Sequence, residues 1–258
     1  MAVTRRDFLK MSLGVAAWAA LRPVTGPASA TPATTTSLFQ KCNRGLPYLA
    51  LTLDDMWDYG MLAAFEALLA GQPQIRVTFF PVGKAILAAT AADAGIWLRL
   101  VQQGHEIGYH TFDHRRPDEV SDEEYALDFQ YWQYALRQAL GYLPPVRFGR
   151  PPFGILSPSF YRLCAAQQMI IAMWCRSWPR RLPEDHPAIT GLAPGDIVLL
   201  HGNNYDYDNL QQGITLVGER SWTAVTLSQL YTIHHNPLVA TEPPTCPEPN
   251  AADIPCPQ

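Results

Sequence analysis

The chain has 258 residues, enough for one large domain or two small ones, and with 48% hydrophobic and 16% charged residues it can bury a substantial core. Its formal charge is −4, and residues 1–30 hold Arg5, Arg6, Lys10 and Arg22 against Asp7, so the rest of the chain carries a net −7. An anionic body without a basic stripe excludes nucleic acid as an expected partner.

In chain order, Thr4-Arg5-Arg6-Asp7-Phe8-Leu9-Lys10 resembles a twin-arginine export signal. An uncharged stretch over residues 11–21 follows, and Ala28-Ser29-Ala30 reads as a cleavage site. The stretch is short for a bilayer span; a basic anchor that is never cleaved is the alternative. Residues 1–30 are therefore expected to be a signal peptide and the protein to be exported, to the periplasm or to the cell exterior and wall. No later apolar run is long enough to cross a membrane, so no span is expected in the mature protein. Residues 31–45 are Thr- and Pro-rich and read as a linker. Residues 236–258 hold seven prolines and read as an extended tail. One domain is expected between them, over residues 46–235, as a monomer. The five cysteines, Cys42, Cys164, Cys175, Cys246 and Cys256, form no Cys-x-x-Cys pair, and their spacing selects no disulfide.

Within the domain, short apolar runs alternate with helical patterns. Residues 48–53 read as a buried strand, 61–70 as a helix stopped by Gly71, and 77–80 as a β-branched and aromatic strand. A helix is expected over 96–103, ended by Gly104, and a strand over 106–109. Ser121-Asp122-Glu123-Glu124 is a capping box opening a long helix to Leu140, closed by Gly141. Residues 146–148, 169–173 and 197–200 read as strands. Ser157-Pro158 starts a helix by cap and first-turn proline, and a last helix spans 226–235. This alternation predicts a mainly parallel α/β sheet, open or closed into a barrel.

The residues with chemistry follow the strands: Asp54 and Asp55, His110, Arg150 and His201. In parallel α/β folds the carboxyl ends of strands meet at one face, where sites form. One acid with His110 and His114 makes an oxygen-and-nitrogen ligand set for a divalent metal, and the other acid is left to handle a proton. A spacing of four would place both imidazoles on one side of a helical turn. Two adjacent carboxylates would raise one another's pKa unless a cation relieved them, and a metal on Asp55 would do so.

These residues carry a resemblance. Thr52-Leu53-Asp54-Asp55, Gly104-His105-Glu106-Ile107-Gly108, His110-Thr111-Phe112-Asp113-His114, Arg150-Pro151-Pro152-Phe153 and Leu199-Leu200-His201 resemble, in order, motifs of the polysaccharide deacetylases, carbohydrate esterase family 4. Thr78-Phe79-Phe80 is similar to the family's second strand. The resemblance covers about residues 46–203. The family's fourth motif supplies an Asp that orients the motif-three Arg, followed by a Trp. Here Trp178 matches the tryptophan, but Cys175–Ser177 holds no Asp, and Glu184 or Asp185 are the nearest following acids.

The resemblance implies a single-domain distorted (β/α) barrel that hydrolyses N- or O-acetyl groups of a glycan. Asp55, His110 and His114 would hold Zn²⁺ or a similar divalent ion such as Co²⁺, which would activate water and polarise the acetyl carbonyl. Asp54 would be the base, Arg150 would hold and aim it, and His201 would be the acid. The Phe153 backbone N–H would help bind the oxyanion, and Leu199 and Trp178 would wall the acetyl methyl. Peptidoglycan, chitin-like oligomers and acetylated xylan are the substrates in view. Two other classes stay open. One is a carbohydrate-binding protein of weak or no activity, with residues 203–208 as a loop presenting tyrosines. The other is a metal hydrolase of a small non-peptide amide.

Overall fold

The computed structural model describes residues 36–42, 45–178, 181–183 and 186–236. The expected signal peptide, most of the proline-rich tail with Cys246 and Cys256, and Glu184 and Asp185 lie outside the described residues. In chain order the elements are β1 (Leu38–Phe39), β2 (Tyr48–Asp55), α1 (Tyr59–Ala70), β3 (Val77–Pro81), α2 (Gly83–Ala92), α3 (Ile96–Gln102), β4 (Glu106–Ile107), α4 (Asp122–Leu140), β5 (Phe148–Gly149), α5 (Pro158–Ala166), β6 (Ile170–Ala172), β7 (Arg176–Ser177), α6 (Pro187–Thr190), β8 (Ile197–His201), α7 (Asn204–Glu219), β9 (Thr223–Ala224) and α8 (Leu227–His235).

All strand pairs among the described residues are parallel. One sheet runs β4-β3-β2-β8-β7 and a second β1-β6-β5. A bridge between Tyr109 and Gly149 joins the β4 side of the first sheet to β5 of the second. The other seam is covalent, because β6 and β7 lie on one run of chain bent over residues 173–175. The pairing path β2-β3-β4-β5-β6/β7-β8 returns to β2, so the parallel sheet closes into a distorted barrel surrounded by helices.

Local chemistry explains the elements that the sequence predicts well. Six of the eight β2 residues are buried, as expected of a strand covered on both faces. Ser121 and Glu124 form the capping box of α4, and Thr226 and Gln229 form another on α8. Besides the single turn α6, two helices are absent from the sequence reading. The first, α2, opens at Gly83 with no side-chain cap. The second, α7, occupies the segment expected to be a tyrosine-presenting loop. Asn203 caps it, and Leu210, Ile214 and Val217 bury one face of it. Tyr207 consequently meets Phe65 of α1, with ring centroids 5.6 Å apart, rather than lying open on a loop. In the segment expected as a linker, β1 pairs with β6, and Phe39 and Cys42 are buried.

Register sets up the interior. Thr52 lies beside Thr78 and Leu199, and Asp54 beside Phe80 and His201. Alternation along a strand then places Thr52, Asp54, Phe80, Leu199 and His201 on one face. Gly108 lets β4 approach that face closely, since a Cβ there would sit 2.3 Å from the buried Phe80 ring. Gly108→Ala is expected to lower stability by about 1–3 kcal/mol through overpacking. Urea melts of variant and parent check this, and coincident midpoints would refute it.

Candidate metal and acid–base site

Arg150, which follows β5, has no exposed side-chain surface. Its Nη1 donates to Asp54 Oδ1 and to Thr52 Oγ1, both at 2.7 Å. Nε donates to the Ala172 carbonyl at 3.1 Å and Nη2 to the Met173 carbonyl at 3.3 Å. The guanidinium lies 4.2 Å from the Phe80 ring centroid. Burial pulls the Arg150 pKa down, opposed by the charge and hydrogen bond of Asp54. The motif-four Asp is absent from Cys175–Ser177, yet the guanidinium is held on both sides by the Thr52 hydroxyl, two carbonyls at the end of β6 and Asp54 itself.

Asp55 ends β2 with a φ of 69°. Its Oδ1 is buried without a hydrogen-bond partner, 3.4 Å from His110 Nε2 and 3.2 Å from His114 Nε2. One donor atom from each of the three residues lies within 4.8 Å of the other two. Burial would raise the Asp55 pKa, but the adjacent His110 ring, with the charges of His114 and His201, outweighs it and the pKa falls. Burial likewise lowers His110, but Asp54 and Asp55 raise it more. Burial and the neighbouring His110 lower His114. His110 Nδ1 sits 2.8 Å from the Arg150 carbonyl, which can only accept, so the proton belongs on Nδ1 and the Nε2 lone pair faces the cluster. An orphaned carboxylate oxygen opposite two imidazole nitrogens is the donor chemistry of a divalent-metal site, and the residues fit such an ion.

The two histidines do not converge by helical spacing as expected. Residues 110–114 form a turn in which Thr111 and His114 have φ of 63° and 61°. The turn is clamped at Thr111 and Phe112 by two helices. The N–H groups of Gly83 and Lys84, at the start of α2, donate to the Thr111 and Phe112 carbonyls. From α4, Asp128 accepts the Phe112 N–H on both oxygens, at 2.9 and 3.0 Å, and the Tyr109 hydroxyl at 2.5 Å. Burial raises the Asp128 pKa to about 6. Gly83 is required for this contact, because a Cβ there would lie 2.5 Å from the Phe112 ring. Among the described residues seven non-glycines have positive φ; Asp55, Met56, Thr111, His114 and Phe153 surround the cluster, whereas Gln168 and Ser221 follow α5 and α7. Left-handed backbone costs about 1–2 kcal/mol per residue, and strain of this kind collects at functional sites.

His201 closes β8, and its side chain is 39% exposed. Burial lowers its pKa, but the hydrogen bond of Asp206 and the charges of Asp54 and Asp55 raise it further, so the net shift is upward. Leu199 lies on the same strand face, two residues earlier. The Phe153 ring is 4.5 Å from that of His114. The Trp178 indole is buried, donating to the Ala188 carbonyl at 3.1 Å and lying against Gly213 of α7. The structure thus brings Asp54, Asp55, His110, His114 and Arg150 into direct contact, with His201 and Phe153 beside them, and seats the Trp178 indole between α6 and α7. Sequence reading missed Asp128 and Asp206. An acid three residues after Tyr125 on an apolar helix stripe signals the first, and the capping spacing Asn203-x-x-Asp206 signals the second.

Residues 42–169 match the family model for polysaccharide deacetylase, a window that holds every cluster residue except His201. The chain is 29% identical over 126 residues to a peptidoglycan-N-acetylglucosamine deacetylase of Bacillus cereus, covering 49% of this chain and 43% of that relative. It therefore spans less than half the length of that curated protein. A solved peptidoglycan N-acetylglucosamine deacetylase superposes with a TM-score of 0.65 at 23% identity, covering 75% of this chain and 92% of the other. A family 4 carbohydrate esterase pseudoenzyme from Bacillus anthracis superposes equally well, at 0.65 and 20% identity, over 76% of this chain and 69% of its own. The shared fold thus serves proteins with and without activity, and the side chains have to carry the functional argument.

If the ligand assignment holds, His110→Ala abolishes divalent-metal binding while Asp54→Asn retains it. Calorimetric titration of each variant with Zn²⁺ checks this; unchanged binding by His110→Ala would reject the assignment. Family model and curated relatives together support the polysaccharide deacetylase family for this chain.

Proposed function

We propose that this protein is a metal-dependent deacetylase that hydrolyses N- or O-acetyl groups of an extracytoplasmic glycan. The observation that carries this reading is the facing of Asp55, His110 and His114 beside an Asp54 held by a buried arginine. Its wider frame is an export signal in residues 1–30, a catalytic domain over residues 46–235 and a monomer. Peptidoglycan and chitin-like glycans are the substrates to test first, with acetylated xylan next.

A divalent ion held by Asp55, His110 and His114, zinc or a similar metal, would supply Lewis-acid polarisation of the acetyl carbonyl and acidify the attacking water. Asp54 takes the water's proton at Oδ2, because Oδ1 is committed to Arg150. Arg150 cannot turn away, since its other donors are bound to Thr52 and to the end of β6. His201 delivers a proton to the departing amine or alcohol, and its raised pKa keeps the ring charged to higher pH. Leu199 borders the space for the acetyl methyl, and the Phe153 N–H is the backbone donor assigned to the developing oxyanion.

Two observations weigh against the other classes. A carbohydrate-binding protein of weak or no activity would fit an arginine left unsupported by the missing motif-four Asp, but Arg150 is fully held without it. A small-amide hydrolase has little use for large exposed aromatics, whereas Trp57, Phe153 and Tyr205 are 41–49% exposed in segments that follow β2, β5 and β8. Rings at these positions suit the flat apolar faces of sugar units flanking the acetylated residue.

The test is acetate release from chitooligosaccharide, peptidoglycan and acetylxylan, with chelator and with added Zn²⁺ or Co²⁺. Release that a chelator stops and metal restores is the expected result. Metal-loaded protein inactive on all three would overturn the proposal. Asp54→Asn is expected to lose about 10²–10⁴-fold in kcat. Turnover should fall as pH rises through the raised His201 value, since only the protonated ring can act as the acid. A pH–rate profile with no alkaline limb would remove His201 from that role.

A further inference from the structure

Behind His201 stands a carboxylate that no motif contains. Asp206, the third residue of α7, is 1% exposed, and its Oδ2 lies 3.5 Å from His201 Nδ1. The same oxygen accepts the His201 backbone N–H at 2.7 Å and the Asn203 side-chain amide at 3.1 Å. Oδ1 accepts the Asn209 amide at 3.3 Å. Asn209 is itself tied to the Leu182 N–H at 3.0 Å. We propose that Asp206 is the positioning residue for His201: it accepts a hydrogen bond from Nδ1–H, fixes the ring's tautomer and orientation, and leaves Nε2 as the nitrogen that passes a proton to the leaving group.

Three features support this assignment, which rests on the deacetylase reading above. First, the carboxylate is immobilised by groups on both sides, so it acts as a fixed stop for the ring. Second, among the described residues His201 is the ion-pair partner shown for Asp206, and no Lys or Arg is paired with it. A buried carboxylate with no cation beside it is costly, and an imidazolium in that place relieves the cost. Third, the strand on the other side of β8 offers no substitute. β7 sets Arg176 and Ser177 opposite Val198 and Leu199, with no acid at either position. The charged groups acting on His201 are Asp54 and Asp55 from β2 and Asp206 from α7, and His201 in turn acts on His114. Of the three, Asp206 is the one whose only ion-pair partner shown among the described residues is His201, because Asp54 is bound to Arg150 and Asp55 faces the two other histidines.

The bland alternative is that Asp206 only caps α7, since its own N–H is bound by the Asn203 side chain and an acid suits a helix N-terminus. A cap affects stability but neither ring tautomer nor turnover. The experiment uses the full chain, metal-loaded and labelled with ¹⁵N-histidine, as parent and as Asp206→Asn. The expected parent spectrum shows neutral His201 protonated on Nδ1. In the variant that preference is lost, and kcat on chitooligosaccharide falls by about 10–100-fold. KM stays within about twofold and bound metal is unchanged, because Asp206 touches neither ligands nor substrate. An Nε2-protonated His201 in the parent, or a folded variant with parental kcat, would overturn the assignment. Should the variant fail to fold, the parent tautomer alone decides. A parent inactive on every glycan but protonated on Nδ1 would strike the deacetylase reading and leave the pairing intact.

Discussion

The interior of the barrel depends on one buried cation. A guanidinium with no solvent contact is tolerable only if its donors are satisfied and its charge is matched. Arg150 meets both conditions by drawing on two separate strands: Thr52 and Asp54 from β2, and the carbonyls that end β6. Phe80, from β3, forms the floor beneath it. Removing the arginine would leave the nearly inaccessible Asp54 without its counter-charge, a change that typically costs about 3–5 kcal/mol. The pair therefore constrains the barrel register and the site geometry together, and the two cannot be altered independently.

The second constraint is the turn that carries both imidazoles. Its two left-handed residues and those at Asp55, Met56 and Phe153 represent unfavourable backbone energy that local sequence does not repay. The clamp explains how the turn persists. Helix α2 presents its unbonded N-terminal N–H groups to the Thr111 and Phe112 carbonyls, and α4 sends in Asp128 from below. Helix termini have free N–H groups to offer, so a turn with outward carbonyls is a natural partner. The ligand geometry is thus a tertiary property, held by two helices far from each other in the chain.

This explains which parts were legible in the sequence. Strands β2, β3 and β8 stand out because residues buried on both faces form unbroken apolar runs. Helix α4 stands out because its cap and its closing glycine are written locally. The two-residue strands β1, β7 and β9 carry no such signal, since only the partner strand defines them. Helix α7 begins with Asn203-Asn204-Tyr205-Asp206-Tyr207-Asp208, which locally reads as a turn, and only Leu210, Ile214 and Val217 further on reveal its period. Motif resemblance pointed to Asp54, Asp55, His110 and His114, which the structure brings together. It could not supply the left-handed turn between the histidines, nor the way Arg150 is held without a motif-four acid, because both depend on contacts between distant segments.

Three carboxylates share one small region of the site. Without separate partners, Asp54, Asp55 and Asp206 would each oppose the others' charge. The structure gives each a different counterpart: a guanidinium for Asp54, two imidazole nitrogens for Asp55, and the ring of His201 for Asp206. Arginine stays charged throughout, a ligand pair tolerates only a metal or protons, and a single imidazole gains and loses its proton near neutrality. In the proposed reaction, proton acceptance, metal holding and proton donation would therefore fall to groups distinguished by their partners, although two of the three acids are adjacent in sequence.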